Sequence, residues 1–237
     1  MYSLQAVIRK SINNATSQFE RLGTVGTNLA NLNTNGYKAV RFEEMLHEDG
    51  YVSSEMRTDY KSGSIRITSN PNDIAIKEAG FFPVISEAGE IAYTRDGALK
   101  IGKGGYLMTS DNWIVGNGIK IPTNCYKMTI KPNGDVMGFD FAGDTPEKLG
   151  NIPIVRFDCQ EGLQSKGSNK LVPTEESGQP KLVLGHDFIQ QNCLENSNAN
   201  VHASVNEMLR LNASMLASMR MIKVVDDMYN KSINIRE

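Results

Sequence analysis

Few residues in this sequence have the types and spacing that chemistry requires, and the first candidates form a glycine-rich segment. Residues 97–103, Gly-Ala-Leu-Lys-Ile-Gly-Lys, match the spacing of a phosphate-binding loop up to its lysine. In such a loop a Ser or Thr follows the lysine and ligates magnesium, and a helix begins whose N-terminus faces the phosphates. Here Gly104 follows, and residues 105–109 have the pattern of a strand. We therefore interpret the glycines as a hairpin turn and predict no nucleotide site.

The histidines and paired acidic residues indicate no catalytic or metal site. His47, His186 and His202 are far apart in the sequence, and the neighbours Asp226 and Asp227 would point about 100° apart on a helix. No Ser/His/Asp or Cys/His signature stands out. A triad whose members are brought together only by the fold would leave no such signature in the sequence. A cell-wall-processing enzyme on a β scaffold, the alternative from another class, needs two carboxylates across a cleft, and none can be placed. The sequence predicts no enzyme, no cofactor and no metal.

Cysteine usage and charge exclude further classes. Cys125, Cys159 and Cys193 contain no Cys-x-x-Cys pair, so neither a disulfide framework nor a zinc site is indicated, and their redox state stays open. The 237 residues include 25 basic and 27 acidic side chains without a long block of either sign, which does not favour nucleic acid as a partner. No apolar run approaches the ~18–20 residues that cross a bilayer, and residues 1–10 lack a signal-peptide apolar region. Membrane insertion and Sec export are not indicated.

A long helix is predicted over residues 4–32, because apolar residues recur there at steps of four and three. Residues 33–36, Asn-Thr-Asn-Gly, then supply a stop signal. The remaining surface of the helix is rich in Asn, Thr and Gly, which are poor helix formers but tolerate burial among several neighbours better than charged side chains do. The predicted seam consists of Ile8, Ile12, Ala15, Phe19, Leu22, Gly26 and Leu29.

A second helix of the same character is predicted over residues 201–233. Its apolar residues follow a near-heptad course with one slip between Met219 and Val225. The matching character of the two ends favours pairing them as a coiled-coil-like core, with a core helix of an ordinary bundle as the alternative. The predicted seam consists of Val205, Met208, Leu211, Met215, Met219, Ile222, Val225 and Tyr229.

Between the helices the apolar period changes to two, which is typical of half-buried strands. Residues 64–68, 73–77, 118–121 and 127–130 alternate in this way, and glycine-containing turns separate such segments. The predicted fold class is therefore α+β, with long terminal helices and a mainly antiparallel β domain. The predicted parts are residues 1–36 plus 195–237 as a helical core, 37–72 as an extended connector and 73–194 as the β-rich domain.

Four motifs, in this order, resemble those of the bacterial flagellar rod and hook protein family. The first resembles the family's N-terminal signature, which contains L-A-N-x-x-T-x-G-[YF]-[KR], and its residues here are Asn28, Leu29, Ala30, Asn31, Thr34, Gly36, Tyr37 and Lys38. Residues 73–76 and 80–82 resemble the start of the family's β domain. The third motif resembles its Y-T-R-x-G stretch in Tyr93, Thr94, Arg95 and Gly97, and the fourth, residues 194–198, resembles L-E-x-S-N and ends in Ser197 and Asn198.

The second helix departs from the family pattern, with Ala213 and Met215 where an Arg and an aromatic residue are common and Ala199 where Val is usual. The resemblance nevertheless implies a structural subunit of the flagellar basal-body rod, assembled helically with copies of itself and with other rod and hook subunits. It also implies export through the flagellar type III apparatus without a cleaved signal and a periplasmic location, while contact with ring proteins stays open. The length and the short connector favour the proximal rod, with the distal rod or hook as the alternative.

Limited proteolysis tests the predicted dependence of the helices on neighbours. We expect residues 1 to about 36 and about 199 to 237 to be largely unstructured in a dilute monomer, because poor helix formers need partners to bury their seams. The protease-resistant fragment, identified by mass spectrometry, should lie near residues 70–194. Ends as protected as the middle, in a verified monomer, would contradict this prediction.

Overall fold

Two helices and many short strands form the part of the chain that the structure describes. The structure is a computed structural model, which describes residues 4–48, 51–140, 145–183, 185 and 187–234. The chain divides into two units. The helical unit comprises Met1–Leu32, Ala39–Asp59 and Ala199–Glu237, and the β unit comprises Asn33–Lys38 and Tyr60–Asn198.

The predicted helices are present with nearly the predicted bounds. Helix α1 spans Leu4–Ala30 and helix α2 spans Val201–Asn234. With the mainly antiparallel strands between them, they confirm the predicted α+β class. Within the described residues, neither helix combines the length and the apolar character that crossing a bilayer requires.

The structure differs from the prediction between residues 37 and 72, where an extended connector was expected. Strands β1 (Val40–Leu46) and β2 (Val52–Thr58) pair there as an antiparallel hairpin, which we call the ribbon. The ribbon belongs to the helical unit and is held along α1: Asn28 exchanges two hydrogen bonds with the Val40 backbone, at 2.8 and 2.9 Å, and Asn13 accepts one from the Val52 N–H at 2.8 Å. A two-stranded hairpin is marginal alone. The ribbon is stabilised by its contacts with α1, which a local sequence pattern does not reveal.

The first and last strands of the β unit pair with each other. Strand β3 (Ile65–Ile67) pairs with β18 (Cys193–Glu195), and β4 (Ile74–Ile76) pairs with β17 (Ile189–Gln191), both antiparallel. The unit is therefore closed by contacts between residues more than a hundred positions apart, and its observed limits differ from the predicted 73–194.

Three further sheets lie between these pairs. The largest has seven strands in the order β14-β15-β6-β5-β9-β8-β7. Strands β10, β11 and β12 form a second sheet, and β13 pairs with β16. The bounds are β5 (Phe82–Ile85), β6 (Ile91–Thr94), β7 (Leu99–Ile101), β8 (Leu107–Thr109), β9 (Ile114–Val115), β10 (Cys125–Ile130), β11 (Asp135–Asp140), β12 (Glu147–Asn151), β13 (Val155–Arg156), β14 (Gln164–Gly167), β15 (Lys170–Val172) and β16 (Lys181–Leu182).

Two apolar clusters fill the β unit. The larger is aliphatic and includes Ile74, Leu107, Val136 and Ile152, each almost fully buried. The smaller is aromatic, and in it the rings of Tyr93 and Phe157 meet edge to face at 4.9 Å between centroids. The glycine-rich segment contributes strand β7 and the start of the tight turn that joins β7 to β8, where Gly102, Gly104 and Gly105 lie, and the two strands pair antiparallel. The hairpin interpretation of those glycines is confirmed.

Gly97 tests how tightly this unit is packed. A Cβ on residue 97 would lie 1.7 Å from the Ile74 carbonyl oxygen, so the backbone must shift in Gly97→Ala. Overpacking of this kind costs about 1–3 kcal/mol, and each kcal/mol lowers the Tm of a chain of this size by about 2–4 °C. The matched control is Gly23→Ala in α1, where a Cβ meets nothing within 4 Å. Equal Tm values for the two variants, measured by calorimetry, would refute the expected clash.

Candidate functional site

Glu195 lies at the centre of a buried ionic cluster in the β unit. Its carboxylate accepts hydrogen bonds from Lys38 Nζ and from Arg95 Nε, each at 2.6 Å. The Gly63 N–H donates to the same carboxylate at 2.8 Å. The side chains of Lys38, Arg95 and Glu195 are 5%, 3% and 1% exposed. We call these three residues the ionic junction.

Each residue of the ionic junction comes from a different one of the predicted motifs. Lys38 ends the first motif, Arg95 lies in the Y-T-R-x-G stretch directly after β6, and Glu195 ends β18 at the start of the fourth motif. The sequence singled out Lys38 and Arg95 by resemblance alone and assigned Glu195 no role. Their contact depends on the pairing of β3 with β18, which no local pattern predicts.

Backbone carbonyls complete the coordination of the two cations. The Arg95 guanidinium donates to the carbonyl oxygens of Gly80 at 2.8 Å and Glu78 at 3.1 Å, and to the Ser62 hydroxyl at 3.2 Å. Lys38 Nζ donates to the Lys61 carbonyl oxygen at 2.8 Å. Two cations share one carboxylate here, and the carbonyl dipoles offset part of the excess positive charge. A buried charge that loses its partner is strongly destabilising, by about 3–5 kcal/mol.

Gly36 allows the chain to approach this cluster closely. Its φ is +65°, in the left-handed region that glycine tolerates best. A Cβ there would lie 2.6 Å from both the carbonyl carbon and the carbonyl oxygen of Arg95, while its N–H donates to the Glu195 carbonyl oxygen at 2.7 Å. The positive φ and the close contact with the Arg95 backbone each exclude a side chain at residue 36. They explain the glycine of the first motif in physical terms.

The first and the last segment of the β unit, residues 33–38 and 195–198, are therefore held side by side. The Asn198 N–H donates to the Tyr37 carbonyl oxygen at 3.3 Å, and the Asn196 N–H donates to the Ser64 carbonyl oxygen at 2.8 Å. Burial raises the pKa of the Tyr37 phenol. Residues 33–38, which follow α1, and residues 195–198, which precede α2, thus meet within one unit.

The other motif residues have structural roles of the same kind. Thr94 Oγ1 donates to the Asn169 carbonyl oxygen at 2.9 Å and accepts from the Asp96 N–H at 3.1 Å. Burial raises the pKa of the Asp96 carboxyl, whose oxygen accepts from the Ala98 N–H. Asn31 Nδ2 donates to the Thr27 carbonyl oxygen at 2.9 Å near the end of α1. The Thr34 carbonyl of the first motif accepts a hydrogen bond from the Tyr37 N–H. In the same motif Leu29 is half-buried and Ala30 is exposed. Ser197 of the fourth motif is half-buried.

The predicted seam of α1 is not the face that the helix buries within the subunit. Ile12 and Phe19 are 52% and 50% exposed, and the other predicted positions, Ile8, Ala15, Leu22, Gly26 and Leu29, are half-buried. The side chains buried instead are Ser17, Gln18, Thr24, Val25 and Asn28. The ribbon, which the sequence did not predict, accounts for this, because it offers hydrogen-bonding partners to a polar stripe. Ser17 Oγ, for example, donates to Glu44 at 3.1 Å.

On α2 the inward face is more regular than predicted. Ser204, Leu211 and Val225 are buried and Ser218 is half-buried, so these four form an uninterrupted heptad row without the predicted slip. Of the other predicted residues, Met208, Met215 and Ile222 are half-buried, Val205 and Met219 are 41% and 49% exposed, and the side chain of Tyr229 lies outside the described residues.

Polar contacts join the two helices. Gln18 Nε2 donates to Ser214 Oγ at 2.7 Å, and Arg21 forms an ion pair with Glu207. Arg21 also pairs with Glu44 of the ribbon, at 3.1 Å. Polar and charged side chains thus hold α1, α2 and the ribbon together. Whether the predicted seams form contacts between subunits stays a prediction.

Possible metal ligands do not cluster in the described part of the chain. There, no group of three or more His, Cys, Asp or Glu side chains is placed to hold a metal ion; His186 lies outside the described residues. The three cysteines are free: Cys125 is half-buried, Cys159 exposed and Cys193 buried.

Comparison with known proteins decides the family. The flagellar basal-body rod protein FlgF of Mesorhizobium japonicum is 30% identical over 199 residues, which cover 81% of this chain and 80% of that protein. The chain belongs to the flagellar rod and hook protein family. Rod proteins named FlgG agree with this: that of Buchnera aphidicola subsp. Schizaphis graminum is 28% identical over 239 residues (89% of this chain, 92% of that protein), and that of Caulobacter vibrioides is 25% identical over 258 residues (97% and 98%).

Residues 75–138 match the family model of the flagellar hook protein FlgE/F/G D1 domain. In this rod and hook protein, that segment runs from β4 to β11 and includes Arg95 of the ionic junction. The resemblance drawn from the four motifs is confirmed, and the alternative of a cell-wall-processing enzyme has no support.

Neutralising Glu195 tests the ionic junction. In Glu195→Gln the shape is kept, but Lys38 and Arg95 remain buried without an anion, so we expect the free energy of unfolding to fall by about 3–5 kcal/mol in urea denaturation. Lys38→Met should lower the free energy of unfolding by less, because the Arg95–Glu195 ion pair that remains has no net charge. The control is Glu90→Gln, since Glu90 and its partner Lys166 are 55% and 42% exposed and such pairs contribute at most about 1 kcal/mol. Similar losses for Glu195→Gln and Glu90→Gln would contradict this role.

Proposed function

We propose that this protein is a structural subunit of the proximal part of the flagellar rod. It is not an enzyme, it is part of the flagellar basal body, and it assembles with other rod and hook subunits. Membership of the rod and hook family supports this, since relatives named as flagellar basal-body rod proteins match most of the chain.

Apolar side chains left exposed on both helices carry the proposal. On α2, Leu209, Leu216 and Met228 are 63%, 56% and 60% exposed. On α1, Ile12 and Phe19 are about half exposed, whereas polar side chains are buried. A soluble monomer rarely leaves so much apolar surface to water, and such surfaces mark contacts with other proteins. The helical unit is built to be covered by neighbouring subunits.

In the assembled rod, α1 and α2 pair as a coiled-coil-like core, and the β unit adds further contacts between subunits. The heptad row of α2 and the Gln18–Ser214 hydrogen bond support the pairing. Torque would then pass through many packed contacts instead of through one reactive site. Helical assembly of identical subunits requires contacts between unlike faces, and the outward faces of the two helices differ in sequence.

The short segment between α1 and β4 supports the proximal rod over the distal rod or the hook, because distal-rod members typically have a longer segment there. Electron microscopy of labelled subunits in purified basal bodies would decide the position. Export through the flagellar type III apparatus without a cleaved signal, and a periplasmic position of the rod, belong to the same proposal.

Phe19 tests the role of the exposed helix faces. In Phe19→Asp the rod would have to bury a charge between subunits, so we expect the variant to be exported but to form no rod. The melting of the β unit should be unchanged, because Phe19 lies in α1. Phe19→Leu is the matched control, since it keeps an apolar side chain and should support swimming. Motility and electron microscopy of basal bodies measure the outcome. Normal swimming by cells with Phe19→Asp would show that this face meets no neighbour.

A further inference from the structure

The ribbon presents two rows of like charge on one face. In its register Arg41 lies opposite Arg57, and Glu43 lies opposite Glu55. Successive side chains of a strand point to opposite faces, so these four share the same face. The basic row and the acidic row are two residues apart along each strand, or about 7 Å.

Helix α1 covers the opposite face of the ribbon. Glu44 there accepts hydrogen bonds from Ser17 and Arg21, at 3.1 Å each, and the Thr24 hydroxyl contacts the Met56 sulfur at 3.7 Å. The charged face therefore points away from α1. Next to its acidic row, Met45 is 66% exposed, and the adjoining Leu46 is 73% exposed.

The stability of the ribbon does not explain the two rows. Like charges directly opposite each other destabilise a strand pair. Arg57 pairs with Glu55 at 3.1 Å and with Glu43 at 3.4 Å, and Arg41 pairs with Asp59. Arg57, Glu43 and Glu55 are 44%, 57% and 67% exposed, so these pairs contribute at most about 1 kcal/mol each. Two cross-strand repulsions offset them.

The rows fit a second copy of the same chain. We propose that the charged face of the ribbon is a contact between adjacent subunits, in which the acidic row of one copy lies against the basic row of the next. An offset of about two residues between neighbouring ribbons brings the opposite charges together. We assign the contact to the head-to-tail type, with the acidic row of each copy against the basic row of the next, because a helical rod propagates through contacts of that type. The exposed Met45, which shares this face, supplies apolar area beside it.

This inference rests on the proposed function, since it assumes that copies of the chain assemble with each other. It adds which surface is used and what chemistry recognises it. Charges facing across an interface set orientation and suppress wrong registers. The ribbon would thus contribute to the register of the rod.

Two complementary variants of the full chain test the contact. The all-basic variant is Glu43→Lys/Glu55→Lys, and the all-acidic variant is Arg41→Glu/Arg57→Glu. Each removes the attraction and leaves like charges facing each other, so we expect the critical concentration for filament formation to rise at least about tenfold for each alone. An equimolar mixture should assemble within about threefold of the wild-type concentration, because unlike rows meet again between copies. Sedimentation and electron microscopy at low salt measure this.

The mixture separates contacts between copies from contacts within one chain. Rescue in the mixture cannot come from a single ribbon, since every copy there has rows of one sign. If each variant assembles like the wild type, the rows only discourage edge-to-edge association and the proposal fails. If the mixture needs the same critical concentration as the single variants, the charges act within one ribbon and not between copies. That result would also overturn the proposal. Glu175→Lys/Glu176→Lys, in an exposed turn of the β unit, is the charge-matched control and should assemble normally. Failure of the wild-type chain to assemble would instead refute the proposed function.

Discussion

The contact of one carboxylate with two cations is the constraint on which the β unit depends. Glu195 lies between Lys38 and Arg95 with almost no exposure to water. Removing three charges from water costs several kcal/mol per ion, and their attraction offsets this only when the remaining donors are also satisfied. Backbone carbonyls around Arg95 satisfy them. Forming the whole arrangement requires three segments that are distant in the sequence to be in place together.

This requirement explains why the family motifs lie where they do. Gly36 must lack a side chain because Arg95 lies directly against it, and Gly97 must lack one because of Ile74. The motif residues near the cluster thus serve the joining of the chain that follows α1 to the chain that precedes α2. None of them has to be reactive.

The sequence predicted elements better than contacts between them. Both helices, the strands around residues 64–68, 73–77 and 127–130, and the glycine hairpin before β8 follow local periodicity and turn chemistry, and they are present. The strand predicted at residues 118–121 is wrong: only an isolated bridge between Lys120 and Tyr106 forms there. The ribbon was missed because its outward residues are charged and because its stability depends on packing against α1, which a local pattern does not show. Because the ribbon was not predicted, the inward face of α1 was not predicted either. That face contains Ser17, Gln18 and Thr24. The ionic junction could not be predicted, since β3 and β18 meet across more than a hundred residues.

The two units distribute polarity in opposite ways, and this contrast connects the fold with assembly. The β unit buries charge and an apolar core, so it is complete within one chain. The helical unit buries Ser, Gln, Thr and Asn side chains against the ribbon and α2 and leaves Leu209, Leu216 and Met228 exposed. Burial of a Leu or Met side chain stabilises by about 1.5–3 kcal/mol, and in the proposed rod these residues would gain that stabilisation from other subunits. Polar side chains thus hold the helices against their neighbours inside the subunit, while these apolar side chains stay exposed, as the proposed contacts between subunits require.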